Sequence, residues 1–234
     1  MTASTGDACL RVSELTKSYG PLRALDRVSF EVRRGDVLGV IGPNGSGKTT
    51  LFECIGGVLP YDSGRVDAPE APFYLPDAIA PWPSQSVSWS LDFTAGYFGA
   101  PAGLRQALID ALSLRPLLHQ RIGELSKGQR KRALLAIGLL TARPIVLADE
   151  PFDGLDLKQA REVGDALRGV ASAGRTLVLS IHQIADAARV CDRFVLLSNG
   201  TVRAEGTLAE ITALASRRSD ASIDGLEEAF LALT

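Results

Sequence analysis

Val37-Leu38-Gly39-Val40-Ile41-Gly42-Pro43-Asn44-Gly45-Ser46-Gly47-Lys48-Thr49-Thr50 decides the fold of this chain. Val37 to Ile41 is continuously apolar, the pattern of a strand buried on both faces. Gly42 to Thr49 then satisfies G-x-x-x-x-G-K-[ST] in full, and a helix is expected from about Lys48. Glycines let such a loop curl so that its N–H groups point inward at phosphate oxygens, and the positive end of the next helix adds to the attraction. The ammonium of Lys48 can reach β- and γ-phosphates, and the hydroxyl of Thr49 can ligate Mg²⁺. A glycine-rich turn that binds nothing is the alternative; placement between a buried strand and a helix argues against it. The candidate phosphate-binding residues are therefore Gly42, Pro43, Asn44, Gly45, Ser46, Gly47, Lys48, Thr49 and Thr50.

Outward from this loop, the pattern alternates between strands and helices. Val28-Ser29-Phe30-Glu31-Val32 alternates apolar and polar, as a half-buried strand does. Pro69 to Pro83 carries prolines at 69, 72, 76, 81 and 83, so loop and short strand are expected there and helix is not. From about Ser86 to Leu140 the pattern is helical, broken by Gly and Pro, and reads as a helical insertion. Apolar runs return at Pro144 to Asp149 and Thr176 to Ser180, each after a helical segment, which indicates a parallel sheet with crossover helices. Phe194 to Ser198, then Asn199-Gly200, then Thr201 to Arg203, reads as a hairpin whose two turn residues need positive φ.

The run Ile145 to Asp149 ends in two acids, Asp149 and Glu150. An acid at the end of a buried strand beside a phosphate loop can hold Mg²⁺, and the second can polarise an attacking water as a general base. Alone, such a pair could simply cap the next element. Together with the loop it points to a nucleotidase.

Leu125-Ser126-Lys127-Gly128-Gln129 opens a long helical stretch and lies 23 positions before Asp149 (149 − 126, counted from Ser126). It reads as a capping box, with Ser126 at the N-cap and Gln129 at N3. It also resembles the signature motif of the ABC ATPase family, commonly Leu-Ser-Gly-Gly-Gln, and a capped helix N-terminus is itself suited to a γ-phosphate. Further residues match the family in order. Pro151-Phe152-Asp153-Gly154-Leu155-Asp156 looks like its D-loop, with Asp156 expected at the nucleotide. His182 looks like its switch histidine, and Tyr19 like the aromatic that stacks on adenine. The resemblance spans about Leu10 to Gly206.

Two positions depart from the family pattern. The glutamine usual at the end of the strand before the helical insertion is replaced by Asp77 in Phe73-Tyr74-Leu75-Pro76-Asp77, with Gln85 a second candidate for the place. An aspartate has a shorter reach and cannot donate a hydrogen bond, although it could still contact Mg²⁺. Lys127 replaces the first signature glycine.

The resemblance implies an α/β fold of the P-loop NTPase type: a mainly parallel core sheet, an antiparallel β subdomain, a helical insertion at about 86–140 and a C-terminal tail at about 207–234. It implies ATP and Mg²⁺ as ligands, with Thr49, Asp149 and possible help from Asp77 at the metal, and with Glu150, His182 and Lys48 as catalytic groups. In the family two such domains sandwich two ATP molecules head to tail, so Ser126, Gly128 and Gln129 are expected to act in trans on a second nucleotide-binding domain. A separate membrane permease is the other implied partner. The stretch Pro76 to Phe93, with Trp82 and Trp89, falls where a permease helix docks in the family, and either tryptophan could equally pack inside the domain.

Composition agrees with such a subunit. The 234 residues suffice for one large domain, 46% are apolar and 22% charged, and the net charge of −2 gives no reason to expect a nucleic-acid partner. Cys9, Cys54 and Cys191 are scattered and read as buried thiols of a reducing compartment. No run is long and apolar enough to span a bilayer, so a cytoplasmic chain held at the inner face of the membrane by its permease is expected. A soluble ABC ATPase of translation or DNA repair is the rival reading, but no second nucleotide domain, zinc module or coiled coil is visible. The tail Leu226-Glu227-Glu228-Ala229-Phe230-Leu231 resembles that of drug-type exporter subunits, which favours export, and reads equally as a short amphipathic helix packed on the domain.

Overall fold

Strand β3 (Val37–Ile41) lies inside a six-stranded sheet of order β5-β6-β7-β3-β8-β9 in a computed structural model that describes residues 8–77, 81–219 and 222–234. Its neighbours are β5 (Phe73–Leu75), β6 (Ile145–Asp149), β7 (Thr176–Ile181), β8 (Arg193–Ser198) and β9 (Thr201–Gly206). All pair in parallel except β9, which returns antiparallel from β8. The turn between β8 and β9 is Asn199-Gly200, with φ of 49° and 72°, as the hairpin reading expects. A second, antiparallel sheet of order β2-β1-β4 is built from β1 (Ala8–Tyr19), β2 (Leu22–Arg33) and β4 (Ser63–Asp67). Strand β2 runs well beyond the alternating stretch Val28 to Val32 because its pairing with β1 continues to the Tyr19–Leu22 pair.

The period of two sorts the strand residues between two cores. Val37, Val146, Leu177 and Phe194 enter one core, and Leu38, Leu147, Val178 and Val195 enter the other. The first core packs beneath helices α2 (Val87–Phe98), α3 (Leu104–Ala111), α4 (Lys127–Leu139), α5 (Leu157–Ser172) and α6 (Ile184–Val190). The second is closed by the antiparallel sheet and by α1 (Lys48–Ile55), through Leu51, Phe52 and Ile55. With both faces covered, the continuous apolar runs of β3, β6 and β7 are accounted for.

The helical insertion is α2, α3 and α4 with two 3₁₀ turns, Arg115–Leu117 and Ile122–Glu124, between the last two helices. Helix α4 opens on the expected capping box: Gln129 N–H donates to Ser126 Oγ (3.4 Å), and Ser126 N–H donates to Gln129 Oε1 (3.0 Å). In the proline-rich stretch β5 is the strand, and residues 78–80 lie outside the described part. The tail forms α7 (Leu208–Ser219) and α8 (Leu226–Leu233), whose Leu226, Ala229 and Leu233 join the first core. Among the described residues no helix is long and apolar enough to cross a membrane.

Candidate active site

Register gathers the site. Ile41 of β3 pairs with Ile181 of β7, and Asp149 of β6 pairs with Ser180, so these parallel strands end level. The residues that follow are therefore neighbours at one edge: the phosphate loop after β3, Glu150 after β6 and His182 after β7. This is the carboxyl-end crevice at which open α/β sheets bind ligands.

The loop from Gly42 to Gly47 is braced from behind. Gly47, the N-cap of α1, has φ 104°, and a Cβ there would come within 2.6 Å of the Ala24 carbonyl oxygen. Gly200 of the β8–β9 turn donates its N–H to Ser46 O (3.0 Å), and its own carbonyl accepts from Asp26 N–H (2.8 Å). Only residues without side chains allow β2, the turn and the loop to approach this closely. The ammonium of Lys48, nearly buried, donates to Gly42 O (2.8 Å) and Pro43 O (3.3 Å) and lies 3.5 Å from Glu150 Oε1. The other carboxylate oxygen of Glu150 is 2.5 Å from His182 Nδ1. Glu150 thus stands between a cation and an imidazole.

Asp149 is held on the face shared with Leu147, toward α1. The hydroxyl of the buried Ser180 donates to Asp149 Oδ1 and also accepts the Glu150 N–H (2.9 Å). Tyr74 OH donates to Asp149 Oδ2 (3.4 Å). Burial, and then the charge of Asp149, push the Tyr74 phenol well above its ordinary value, so it remains a donor at any physiological pH. Ser180 and Tyr74 were missed in the sequence. The signal for Ser180 was a hydroxyl near the carboxyl end of a strand that is otherwise apolar from Leu177 to Ile181.

A cleft of about 690 Å³ opens over these groups. Its walls include Tyr19, Asn44, Gly45, Lys48, Thr49, Thr50, Asp77, Glu150 and His182, all expected from the sequence. They also include Leu22, Arg23, Asp153, Asn199 and Gly200, which were not. Tyr19 is half exposed at the end of β1, with the Lys17 ammonium 5.6 Å from its ring centroid. Gly42, Pro43, Ser46 and Asp149 stand behind the wall, as carbonyl acceptors, brace and buried acid.

Ser126, Gly128, Gln129 and Asp156 do not line the cleft of their own chain. The first three are at the start of α4, packed on the loop after β6: a Cβ on Gly128 would meet Gly154 O at 3.1 Å. Asp156 is instead the N-cap of α5, accepting Gln159 N–H (2.8 Å). The two departures from the family pattern are both ion-paired. Lys127 bonds Asp153 Oδ2 (2.6 Å), and Asp77 bonds Lys131 of α4. Gln85, exposed, holds its place through its backbone: its N–H donates to Trp82 O (2.9 Å) and its carbonyl accepts from Ile122 N–H (3.0 Å).

The donor set suits Mg²⁺. Among the described residues no cluster of three His, Cys, Asp or Glu could hold a metal. A hydroxyl (Thr49) and a strand-end carboxylate (Asp149) are oxygen donors of the sparse kind that suits Mg²⁺ when phosphates and water complete its shell.

Beyond the site, α2 presents Trp89, Phe93 and Tyr97 four residues apart on one face. Trp89 and Phe93 stack at 5.1 Å, Phe93 and Tyr97 at 6.1 Å, and Trp82 meets Trp89 edge-on at 5.7 Å. All four are exposed, so neither tryptophan is a core residue. Trp82, Phe93 and Tyr97 border an almost wholly apolar groove of about 510 Å³, floored by Phe73, Leu75 and Leu134.

Comparison with known proteins agrees with this geometry. A family model described as ABC transporter matches residues 25–153. A Nod factor export ATP-binding protein of Ralstonia nicotianae is 31% identical, the match covering 86% of this chain and 68% of that protein. A phosphonates import ATP-binding protein of Caulobacter vibrioides is also 31% identical, covering 88% of this chain and 91% of its own length. The solved structure of an ATP-binding subunit of an ABC transporter superposes with a TM-score of 0.84 at 26% identity, covering 96% of this chain and 99% of that one. With a phosphate loop, a strand-end acid pair and a capped signature helix in one α/β frame, the chain belongs to the ABC transporter family of ATP-binding proteins.

Proposed function

We propose that this chain binds ATP with Mg²⁺ and hydrolyses it to drive transport through a separate membrane permease. The observation that carries the reading is the convergence of Lys48, Glu150 and His182 in one cleft beside the phosphate loop. The loop N–H groups and Lys48 bind the phosphates, and Tyr19 offers its ring to the base. Thr49 and Asp149 would hold Mg²⁺, which supplies charge neutralisation at the β- and γ-phosphates. Glu150, released from Lys48 as that ammonium turns to the phosphates, accepts the proton of the water attacking the γ-phosphorus. The bond to the bridging oxygen breaks with its electron pair leaving on ADP. His182 holds the γ-phosphate and fixes the Glu150 carboxylate.

A pair of domains is part of the proposal. Since the signature residues Ser126, Gly128 and Gln129 lie outside their own cleft, they serve the site of a second nucleotide-binding domain, and ATP closes the two together. The aromatic groove beside α2 is where the permease docks: it is apolar and bordered by the exposed rings of Trp82, Phe93 and Tyr97, and large aromatic side chains are enriched at interface hot spots. Docking there places the chain at the inner face of the membrane. Relatives of equal identity include an exporter and an importer by name, so the preference for export rests on α8 and its likeness to the tail of drug-type exporter subunits.

The test is Mg²⁺-dependent release of phosphate from ATP, with Lys48→Ala beside the wild type. Loss of a charged hydrogen-bond partner of the phosphates, worth about 1.5–3 kcal/mol, predicts ATP binding at least tenfold weaker. Unchanged affinity would remove the site assignment. For the groove, Trp82→Ala and Trp89→Ala should weaken permease association and leave ATP binding intact. Normal association in folded variants would place docking elsewhere.

A further inference from the structure

Glu150 is in a conformation that its own side chain does not favour. Its φ is 49°, in the left-handed region, where a non-glycine residue persists only if its surroundings hold it. The surroundings are visible on both sides. Its N–H is held by Ser180 of β7, through the carbonyl (3.2 Å) and the hydroxyl (2.9 Å). Its carbonyl is held by the ammonium of Lys131 (2.9 Å), which comes from α4, the helix that starts at the signature. Lys131 is buried, unlike Lys127 one turn earlier. A buried ammonium requires a counter-charge, and Asp77 in the loop after β5 supplies it. This lysine thus ties three elements together: the signature helix, the loop after β5 and the residue expected to activate water.

We infer that Lys131 is a positioning residue for hydrolysis, fixing Glu150 through its backbone carbonyl, and that Asp77 acts by holding Lys131 in place rather than by ligating metal. The inference rests on the hydrolytic reading of Glu150. In this chain an ion pair then does the connecting work at a place where the family pattern has glutamine.

The measurements are kcat, KM, ATP affinity and Mn²⁺ affinity of the ATP complex, for K131M, K131Q, K131R, D77N and D77N/K131M. A misplaced Glu150 costs turnover, so kcat of K131M should fall about 10- to 100-fold, with ATP affinity and KM within about twofold of wild type. K131R, which keeps the charge and the donors, should recover most of the loss. K131Q is the fallback if K131M does not fold; it keeps a donor without the charge and should fall between. D77N should lose less than K131M, and the double variant should be no worse than K131M alone, because Asp77 acts through the lysine. Mn²⁺ affinity should not respond to D77N. Additive losses, or Mn²⁺ binding weakened by D77N, would return Asp77 to the metal and overturn the inference. So would full activity in K131M. A wild type that hydrolyses no ATP would overturn the hydrolytic reading first, and this inference with it.

Discussion

Gly200→Ala tests whether the β8–β9 turn braces the phosphate loop. Gly200 has φ 72°, and a Cβ there would stand 2.6 Å from the Ala24 carbonyl oxygen and 3.0 Å from its carbon. The left-handed backbone costs an alanine about 1–2 kcal/mol. The clash is with backbone and cannot be relieved by turning a side chain, which adds about 1–3 kcal/mol of overpacking. The sum is about 2–5 kcal/mol, a large part of the stability of a domain of this size. Gly174→Ala is the matched control: φ is 95°, nothing lies within 4 Å of the added Cβ, and only the backbone cost of about 1–2 kcal/mol applies. Urea denaturation should show Gly200→Ala to be the more destabilising by at least about 1 kcal/mol. ATP titration should show weaker binding in that variant alone, because displacing the turn pulls on Ser46 O, which accepts the Gly200 N–H. Equal destabilisation of the two variants, or ATP affinity unchanged in Gly200→Ala, would refute the brace.

Ser180→Ala removes the hydroxyl shared by Asp149 and the Glu150 N–H; leaving a buried carboxylate short of a donor should cost about 1–3 kcal/mol, read by urea denaturation, and should weaken Mn²⁺ binding to the ATP complex. Thiol reagents should modify the native protein very slowly: Cys9 and Cys54 are buried, and burial pushes Cys54 up to about 11 and Cys191 higher still, so at pH 8 roughly one Cys54 in a thousand is thiolate. Three thiols per chain should react at once in denaturant. Glu210 accepts the N–H and hydroxyl of Thr207 at the start of α7, and the backbone bond first of all holds its carboxyl below the usual glutamate value. Its folded value is the lower one, so its stabilisation is present above the unfolded glutamate value and is lost as pH falls through the folded one. Glu210→Gln should therefore cost less than about 1 kcal/mol at pH 7, the group being largely exposed, and nothing in acid below both values.

The sheet and the phosphate loop were legible because their signals are local. A continuous apolar run, a spaced glycine motif, Asn-Gly between apolar stretches and a capping box each act within a few residues, and β3, the loop, the β8–β9 turn and α4 follow them. The acid pair at 149–150 could be placed because it ends a buried apolar strand, whereas His182 was named through the family resemblance, and the fold shows why it fits: β6 and β7 end level, so the residues after them are side by side. What was not legible depends on register between distant segments. Ser180 meets Asp149 across 31 positions of sequence, and Lys131 meets Asp77 across 54. Lys131 and Arg132 are charged and yet both are buried, because α4 lies between the sheet and the other helices. Asp77 could be recognised as out of pattern, but its cation could not be named without the fold.

The most direct test of the account is the size of Glu150→Gln with and without ATP. The glutamine cannot accept a proton, so bound ATP persists, and the signature of each chain is drawn to the γ-phosphate held by the other. Light scattering after size-exclusion chromatography should give the 24.8 kDa chain without nucleotide and twice that mass with ATP and Mg²⁺. The same variant carrying Lys48→Ala should stay at the mass of one chain. A Glu150→Gln protein that binds ATP and remains a monomer, where the wild type is seen to pair, would contradict the assignment of Ser126, Gly128 and Gln129 to a partner's site.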